Sequence, residues 1–239
     1  MFPQTLYYRF KRFSPSLYSS AHWREYGMLY RNTADDAHSA NHAVILNPDC
    51  DVNAALQDVE RFYGARCLTP RVFSGFVENE AGWLLPALVR RGYRIDHFGS
   101  TGFLYKGTEE FAPDSAVEPV HELTAELMCF APDWLPDPAR PHSKSYGLRA
   151  EDGCLCAYAA VEYGYDCAFI TNVLTDESYR RRGYCTRLMK HIIHCHRQSH
   201  GSTPLFLDAV NENAVRIYTR LGFVRFATPD YWRASLQGK

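Results

Sequence analysis

Two apolar periodicities alternate along the chain. Val52, Leu56, Val59 and Phe62/Tyr63 recur at three- and four-residue spacing behind Asp51, which predicts a helix over 51–66 with Asp51 as its N-cap. A second helix is predicted from Asn79 or Glu80 to Arg91, ended by Gly92. Leu188, Met189, Ile192 and Ile193 predict a helix after Gly183, and residues 213–221 predict another, stopped by Gly222. One more is expected from Thr124. Short apolar or alternating runs predict strands at 42–47, 71–77, 117–121, 167–175 and 205–210. Residues 146–150 and 154–163 read as paired strands joined by the turn Glu151-Asp152-Gly153, and 93–105 as a strand or a hairpin about Gly99. Residues 223–227 and 231–235 read as a closing hairpin with Pro229-Asp230 at its turn.

Punctuation divides this pattern in two. Residues 107–118, GTEEFAPDSAVE, read as a linker, because Gly, Pro, Asp and Ser interrupt any period. The expected domains are therefore 1–112 and 113–239. Residues 132–145 hold four prolines, which exclude a helix or an interior strand. A loop of that length in a compact domain is often functional, as a cover over a substrate site. A weak repeat links the halves: 88–95 read LVRRGYRI and 218–225 read YTRLGFVR. Both are a helix end, a glycine stop and an aromatic that starts a strand.

Composition narrows the classes. The chain has 239 residues, 46% hydrophobic and 22% charged, with a formal net charge of -1. That suits a soluble globular protein and gives no basic excess for nucleic acid or a membrane surface. There is no run of about 18 apolar residues for a membrane span. The start, MFPQTLYYRFKRF, lacks the apolar stretch of a secretory signal. A cytoplasmic location is expected, and with it eight reduced cysteines, mostly buried as small hydrophobes. Cys154 and Cys156 are expected to face the same way on one strand.

The chemistry concentrates in residues 172–189, NVLTDESYRRRGYCTRLM. A strand ends near Thr175, a short polar link follows, and Arg180, Arg181, Arg182 and Gly183 lead into an amphipathic helix. Helix N-termini present unpaired N–H groups and a positive dipole end, which together bind anions. Gly183 keeps a Cβ out of the anion's way, Cys185 and Thr186 are small, and guanidinium groups suit phosphate oxygens. Neither GxxxxGK[ST] nor GxGxxG is present, so the commoner phosphate loops are excluded. A single glycine flanked by arginines suits a pyrophosphate at one helix end.

This stretch resembles the acetyl-CoA loop of the GNAT-family N-acetyltransferases, [RQ]xxGx[GA], with Arg180, Gly183 and Cys185 at its positions. Cys185 departs mildly from Gly or Ala. A second family motif, NxxAxxxYxxxGF, is matched by Asn211, Ala214, Tyr218 and Gly222-Phe223. The resemblance covers roughly 117–235. It implies a mixed α/β (α+β) fold with a mostly antiparallel, split sheet flanked by helices. Acetyl-CoA would lie in the split as acyl donor. The backbone of Val173, Leu174 and Thr175 would pair with pantetheine, and Arg180, Arg181, Arg182, Gly183, Tyr184, Cys185 and Thr186 would hold the pyrophosphate. Asn211 would touch pantetheine, although it or Asn213 could equally cap a helix. Tyr218 would be the general acid that protonates the leaving thiolate. The first half looks like a degenerate second copy. It has no such loop, and Leu88 stands at the position of Tyr218.

An attacking amine, of pKa near ~10.4, must first lose a proton. Glu162 and Asp208, at strand ends, are the candidate bases. His191, His194, Cys195 and His196 cluster on the helix after the loop. Zinc is one use for such a set and cations near a helix C-terminus are the other; no metal is expected. The resulting expectation is an acyl-CoA-dependent N-acyltransferase. Its acceptor is the amine of a small molecule in preference to a protein lysine, with no nucleic-acid or membrane partner. Two alternatives stay open: an acyl-CoA sensor without catalysis, and a same-fold transferase using aminoacyl-tRNA, against which the near-neutral charge argues.

Overall fold

The computed structural model describes residues 3–35, 37–132, 135–228 and 230–237. The chain divides into two compact units that interleave along the sequence. One comprises Thr101–Thr228 with the chain's start up to Tyr7; the other comprises residues 8–100 with the stretch after 228.

In chain order the first elements are α1 (Pro3–Phe13), β1 (Ser20–Arg24), β2 (Gly27–Arg31), β3 (Ala43–Ile45), α2 (Val52–Gly64), β4 (Arg71–Phe73), α3 (Glu80–Trp83), α4 (Leu85–Arg90) and β5 (Tyr93–Phe98). Asp51 caps α2, its carboxylate accepting from Asn53 N and Ala54 N. Leu56, Val59, Phe62 and Tyr63 then turn inward as the spacing predicts. The continuous helix expected over 80–91 is instead broken at Leu84. Pro86 lacks the N–H that would bond the carbonyl four residues back, and its ring crowds that carbonyl. The α1 helix and the β1–β2 pair were not foreseen. Leu6, Tyr7 and Phe10 of α1 are buried, but they lie among charged and polar neighbours that blur the period.

The second series is β6 (Thr101–Tyr105), β7 (Val117–Val120), α5 (Ala125–Met128), β8 (Ser143–Arg149), β9 (Leu155–Gly164), β10 (Cys167–Thr175), α6 (Tyr184–His200), β11 (Leu205–Ala209), α7 (Glu212–Arg220), β12 (Phe223–Phe226) and β13 (Tyr231–Leu236). Here the sequence reading holds to within a few residues. Cys154 is the exception: it lies exposed in the turn before β9, while Cys156 is buried. All eight cysteines are free thiols, but only Cys156 and Cys167 are buried.

The strands form a six-stranded sheet, β1-β2-β3-β4-β13-β5, and a seven-stranded sheet, β12-β6-β11-β10-β9-β8-β7. Both contain the same connectivity. An antiparallel meander (β1-β2-β3, β8-β9-β10) is followed by one parallel pair (β3 with β4, β10 with β11). In each sheet a further strand sits between the last two: β13 between β4 and β5, and β6 between β11 and β12. The inserted strand comes from the other half of the chain in both cases. Such twinned sheets are compatible with a duplicated fold. Two expected hairpins are thereby corrected. β5 and β6 lie in different sheets, and so do β12 and β13; Pro229, placed at the second turn, lies outside the described residues. A local turn and an alternating pattern cannot distinguish a partner next door from one in another sheet.

In the seven-stranded sheet, β10 and β11 run side by side only briefly. Their register is Ala168↔Leu205, Phe169↔Phe206 and Ile170↔Leu207, and it ends there. Beyond it, β11 continues along β6 to Ala209, and β10 continues along β9 after a shift between Thr171 and Leu174. Asn172, at that shift, has φ 54°. The sheet is thus split at the C-terminal ends of β10 and β11, within the unit that holds α6 and α7. One face carries the core of Leu188, Met189, Ile192 and Ile193 of α6 with Tyr218 and Leu221. The other carries a smaller cluster of Leu127, Leu135, Tyr158 and Ala160. Leu135 comes from the proline-rich loop, which packs on this face; Asp133 and Trp134 of that loop lie outside the described residues.

Candidate functional site at the split between β10 and β11

The loop from Thr175 to Gly183 bridges one arm of the split to the N-terminus of α6. Asp176 caps a short turn over Glu177–Tyr179, accepting from Ser178 N at 2.7 Å. Gly183 is the N-cap residue of α6, with φ 86°, and no side chain caps the helix. A Cβ at Gly183 would meet no protein atom within 4 Å, so within the protein itself it is the left-handed backbone that favours glycine here. The first turn, Tyr184, Cys185 and Thr186, therefore presents its N–H groups without a competing protein acceptor from the cap. This 17-residue helix is long enough for its dipole to matter at that end.

The three arginines differ. Arg180 is tied into its own loop, donating to Thr175 O at 3.2 Å and pairing with Glu177 at 2.8 Å. Arg181 takes a left-handed backbone, φ 64°. Arg182 lies 5.5 Å above the Tyr179 ring. A cleft of about 430 Å³ opens between Thr175–Arg180 and Cys129 and Phe130, but Asp176 and Glu177 line it. Those carboxylates repel phosphate on that side and offset Arg180, which also lines the cleft, so the helix end is the better candidate for an anion.

Tyr184 turns inward: its ring joins the core and its hydroxyl bonds Glu151. Only its backbone is left to a ligand. Tyr179 donates to Asp152 at 2.6 Å, and Arg187 pairs with Glu151 at 3.2 Å. The β8–β9 turn therefore staples the loop in place, a role for Glu151 and Asp152 that a turn signature does not reveal. Val173 packs toward the helix-covered core and Leu174 toward the opposite cluster, so the backbone of 172–175 stands edge-on to the split.

Tyr218 lies on α7, buried in the helix-side core, with its ring 6.3 Å from Phe103 and 6.1 Å from Phe223. Burial, with the neighbouring Cys185 thiol, pushes its phenol well above the ordinary value. Burial likewise raises the Cys185 thiol to about 11. Cys185 of the first motif and Tyr218 of the second, about thirty residues apart, thus share one core. Asn211 is the N-cap of α7, its Oδ1 accepting from Ala214 N at 2.9 Å. The capping alternative is the one the geometry displays, and it leaves the amide nitrogen as a donor. Of the candidate bases, Asp208 accepts from Tyr7 at 2.6 Å, and Glu162 stands opposite Phe169 on β9.

Three histidines of α6 bond to neighbouring segments of chain. His191 Nδ1 accepts from Asp114 N at 3.1 Å, His194 Nδ1 meets Phe111 O at 2.7 Å, and His196 Nε2 meets Thr203 O at 2.9 Å. Among the described residues no three His, Cys, Asp or Glu are grouped to hold a metal ion. Two of these histidines, with Arg187 on Asp114 at 2.8 Å and Arg197 on Glu109 O at 2.7 Å, bind residues 109–114 along α6. Phe111 is buried there. The stretch expected to be a linker is a strap on the same unit as the split.

Comparison with known proteins agrees with this geometry. The model of the acetyltransferase (GNAT) family matches residues 108–223. A GCN5-related N-acetyltransferase from Kribbella flavida superposes with a TM-score of 0.68 at 18% identity, over 99% of this chain and 95% of that one. A functionally unknown conserved protein from Staphylococcus epidermidis gives 0.62 at 10% identity, over 91% and 94% of the two chains. A GCN5-related N-acetyltransferase-like protein from Streptococcus suis gives 0.55 at 12%, over 92% and 89%. At such identities the likeness is one of fold. No curated protein matches the chain by sequence. Among the described residues no helix is long and apolar enough to cross a membrane.

Proposed function

Because residues 108–223 are a GNAT-family acetyltransferase domain, we propose that the chain transfers the acetyl group of acetyl-CoA to the amine of a small molecule. The observation that carries this is the end of the β10–β11 register at Ile170↔Leu207, beside a helix whose N-cap is a glycine with no capping side chain. The first supplies an edge of backbone for pantetheine, the second an uncompensated N-terminus for pyrophosphate.

In this reading the amides of Val173, Leu174 and Thr175 line the pantetheine arm and polarise the thioester carbonyl. The N–H groups of Gly183, Tyr184, Cys185 and Thr186 receive the pyrophosphate, with Arg181 and Arg182 adding charge. Arg180 must exchange Glu177 for phosphate to join them. Asn211 offers its amide nitrogen from the α7 cap. The acceptor nitrogen forms a bond to the acyl carbon, the C–S bond breaks, and Tyr218 gives its proton to the sulfur. A phenol is protonated at neutral pH, and burial raises this one further, so it holds the proton an acid must carry before it acts.

Titration calorimetry with CoA and a spectrophotometric assay of acetyl-CoA with a panel of amines test the reading. Tyr218→Phe is expected to lower kcat by about 100-fold or more, with little change in KM for acetyl-CoA. Unchanged kcat in Tyr218→Phe removes the acid assignment. CoA binding without transfer to any amine turns the reading to a sensor.

A further inference from the structure

One face of the six-stranded sheet carries two guanidinium groups without a counter-charge. Val72, Trp232 and Ala234 point into the core beneath α2 and α4, so Arg71, Phe73, Arg233 and Ser235 point to the other face. The register sets Ser235 opposite Arg71 and Arg233 opposite Phe73. Arg71 and Arg233 are therefore diagonal neighbours on adjacent strands, with Cβ atoms about 7–8 Å apart. Both are half-buried, where water screens their repulsion less than at an open surface.

Their partners within the protein are few. Arg233 Nε donates to the Tyr231 hydroxyl at 2.9 Å. Its guanidinium lies 4.9 Å from the centre of the Phe73 ring and 4.6 Å from that of Phe98, and rings offer a cation a negative face but no charge to cancel its own. Arg71 Nη1 reaches Thr69 O only at 3.5 Å, and its buried Nε meets no acceptor. Among the described residues neither guanidinium forms an ion pair. The nearby carboxylates are engaged elsewhere: Asp96, opposite Arg233 on β5, pairs with Arg94 at 3.0 Å, and Asp35 accepts from Ala37 N at 2.8 Å.

Two imidazoles register this charge. His38, in the short turn His38–Ala40 ahead of β3, is held below the ordinary imidazole value by partial burial and then by Arg71 and Arg233. His42 stacks on Phe73 at 4.1 Å and is pushed down to about 3, by burial and then by Arg233. It stays neutral and adds no charge of its own.

We propose that Arg71 and Arg233 bind a tetrahedral oxyanion, phosphate or the phosphate of a small monoester, on the face of β4 and β13 opposite α2. Guanidinium donors fit such oxygens two at a time, and Ser235, opposite Arg71, adds a hydroxyl donor. A dianion neutralises both guanidiniums, whereas a single carboxylate cancels one charge only. The site does not depend on the acyl-transfer reading: all its residues belong to the unit that lacks α6 and the split.

Proton NMR of the His38 ring, assigned by its loss in His38→Asn, reads the site. At constant ionic strength set by chloride, inorganic phosphate is expected to move the His38 midpoint upward, because the bound anion cancels the arginine field. The movement is expected to saturate with a Kd of about 1 mM or tighter. Arg71→Gln and Arg233→Gln are each expected to weaken that Kd by about 10-fold or more, and acetate to bind the wild type about 10-fold more weakly than phosphate. Glycerol 3-phosphate tells the two sources apart: binding as tight as phosphate or tighter assigns a monoester, weaker binding the free ion. A wild-type midpoint that phosphate leaves in place overturns the proposal, as does acetate binding as tightly as phosphate or an unchanged phosphate Kd in folded Arg71→Gln. The wild-type arms carry the test if the arginine variants melt early.

Discussion

Gly183 and Asp51 occupy equivalent places, each the N-cap of the helix that follows the first strand of a parallel pair. Asp51 fills its helix end with its own carboxylate, at 2.9 and 3.1 Å from Asn53 N and Ala54 N. Gly183 leaves its end open. One residue type therefore decides which end can take an external anion. Gly183→Ala forces a Cβ onto a φ of 86°, a strain of about 1–3 kcal/mol, although the site has room for it. The expected result is a 5- to 100-fold weaker Kd for CoA by calorimetry, through movement of the first turn. The sequence displayed both residues but not the left-handed backbone that adds a second reason for the glycine. Tyr7 was invisible beforehand, since nothing in MFPQTLYY points two hundred residues ahead to Asp208. For Tyr218, the raised phenol predicts no alkaline fall in kcat from this group below about pH 10.

At the scale of elements, the strap along α6 is pH-sensitive. Arg187's hydrogen bonds hold the Asp114 carboxyl below the usual carboxylate range, and burial holds His191 below the usual imidazole value. In both, the folded strap binds fewer protons than the unfolded chain, so its stability rises with pH. The His191 contribution is complete above about pH 6.5 and fades on acidification. That of Asp114 is complete above about pH 4 and fades lower still. Amide protection factors over 111–116 are expected to fall between pH 7 and 5, relative to those of α6. In His191→Asn that fall should vanish. Helices such as α6 were legible because four inward residues repeat at a fixed period. The strap was not, because its order comes from side chains of another element and not from any period of its own.

For the whole molecule, the exchange of β6 and β13 between the sheets sets what each half needs. Trp232 and Ala234 of β13 are buried in the core of α2, α4 and β4. Trp232→Ala is expected to cost about 3–5 kcal/mol. Hydrogen exchange should report the loss in β4 and β5, with β9, β10 and CoA binding much less changed. Calorimetry is expected to find one CoA per chain, since the helix between the strands of the first parallel pair is the self-capped α2. The sequence announced the second sheet through its two motifs and hinted at the first through the 88–95 and 218–225 repeat. It could not announce the exchange, because each strand's apolar face fits either sheet.

The exchange also has a consequence in time. A chain emerging from the ribosome presents β4 and β5 long before β13, which must lie between them. Domains made in sequence usually close as they appear, yet here the first sheet waits with two bare edges until the second has been synthesised. Nascent chains stalled before residue 231 are expected to be the aggregation-prone species of this protein, and the first half the last to finish folding.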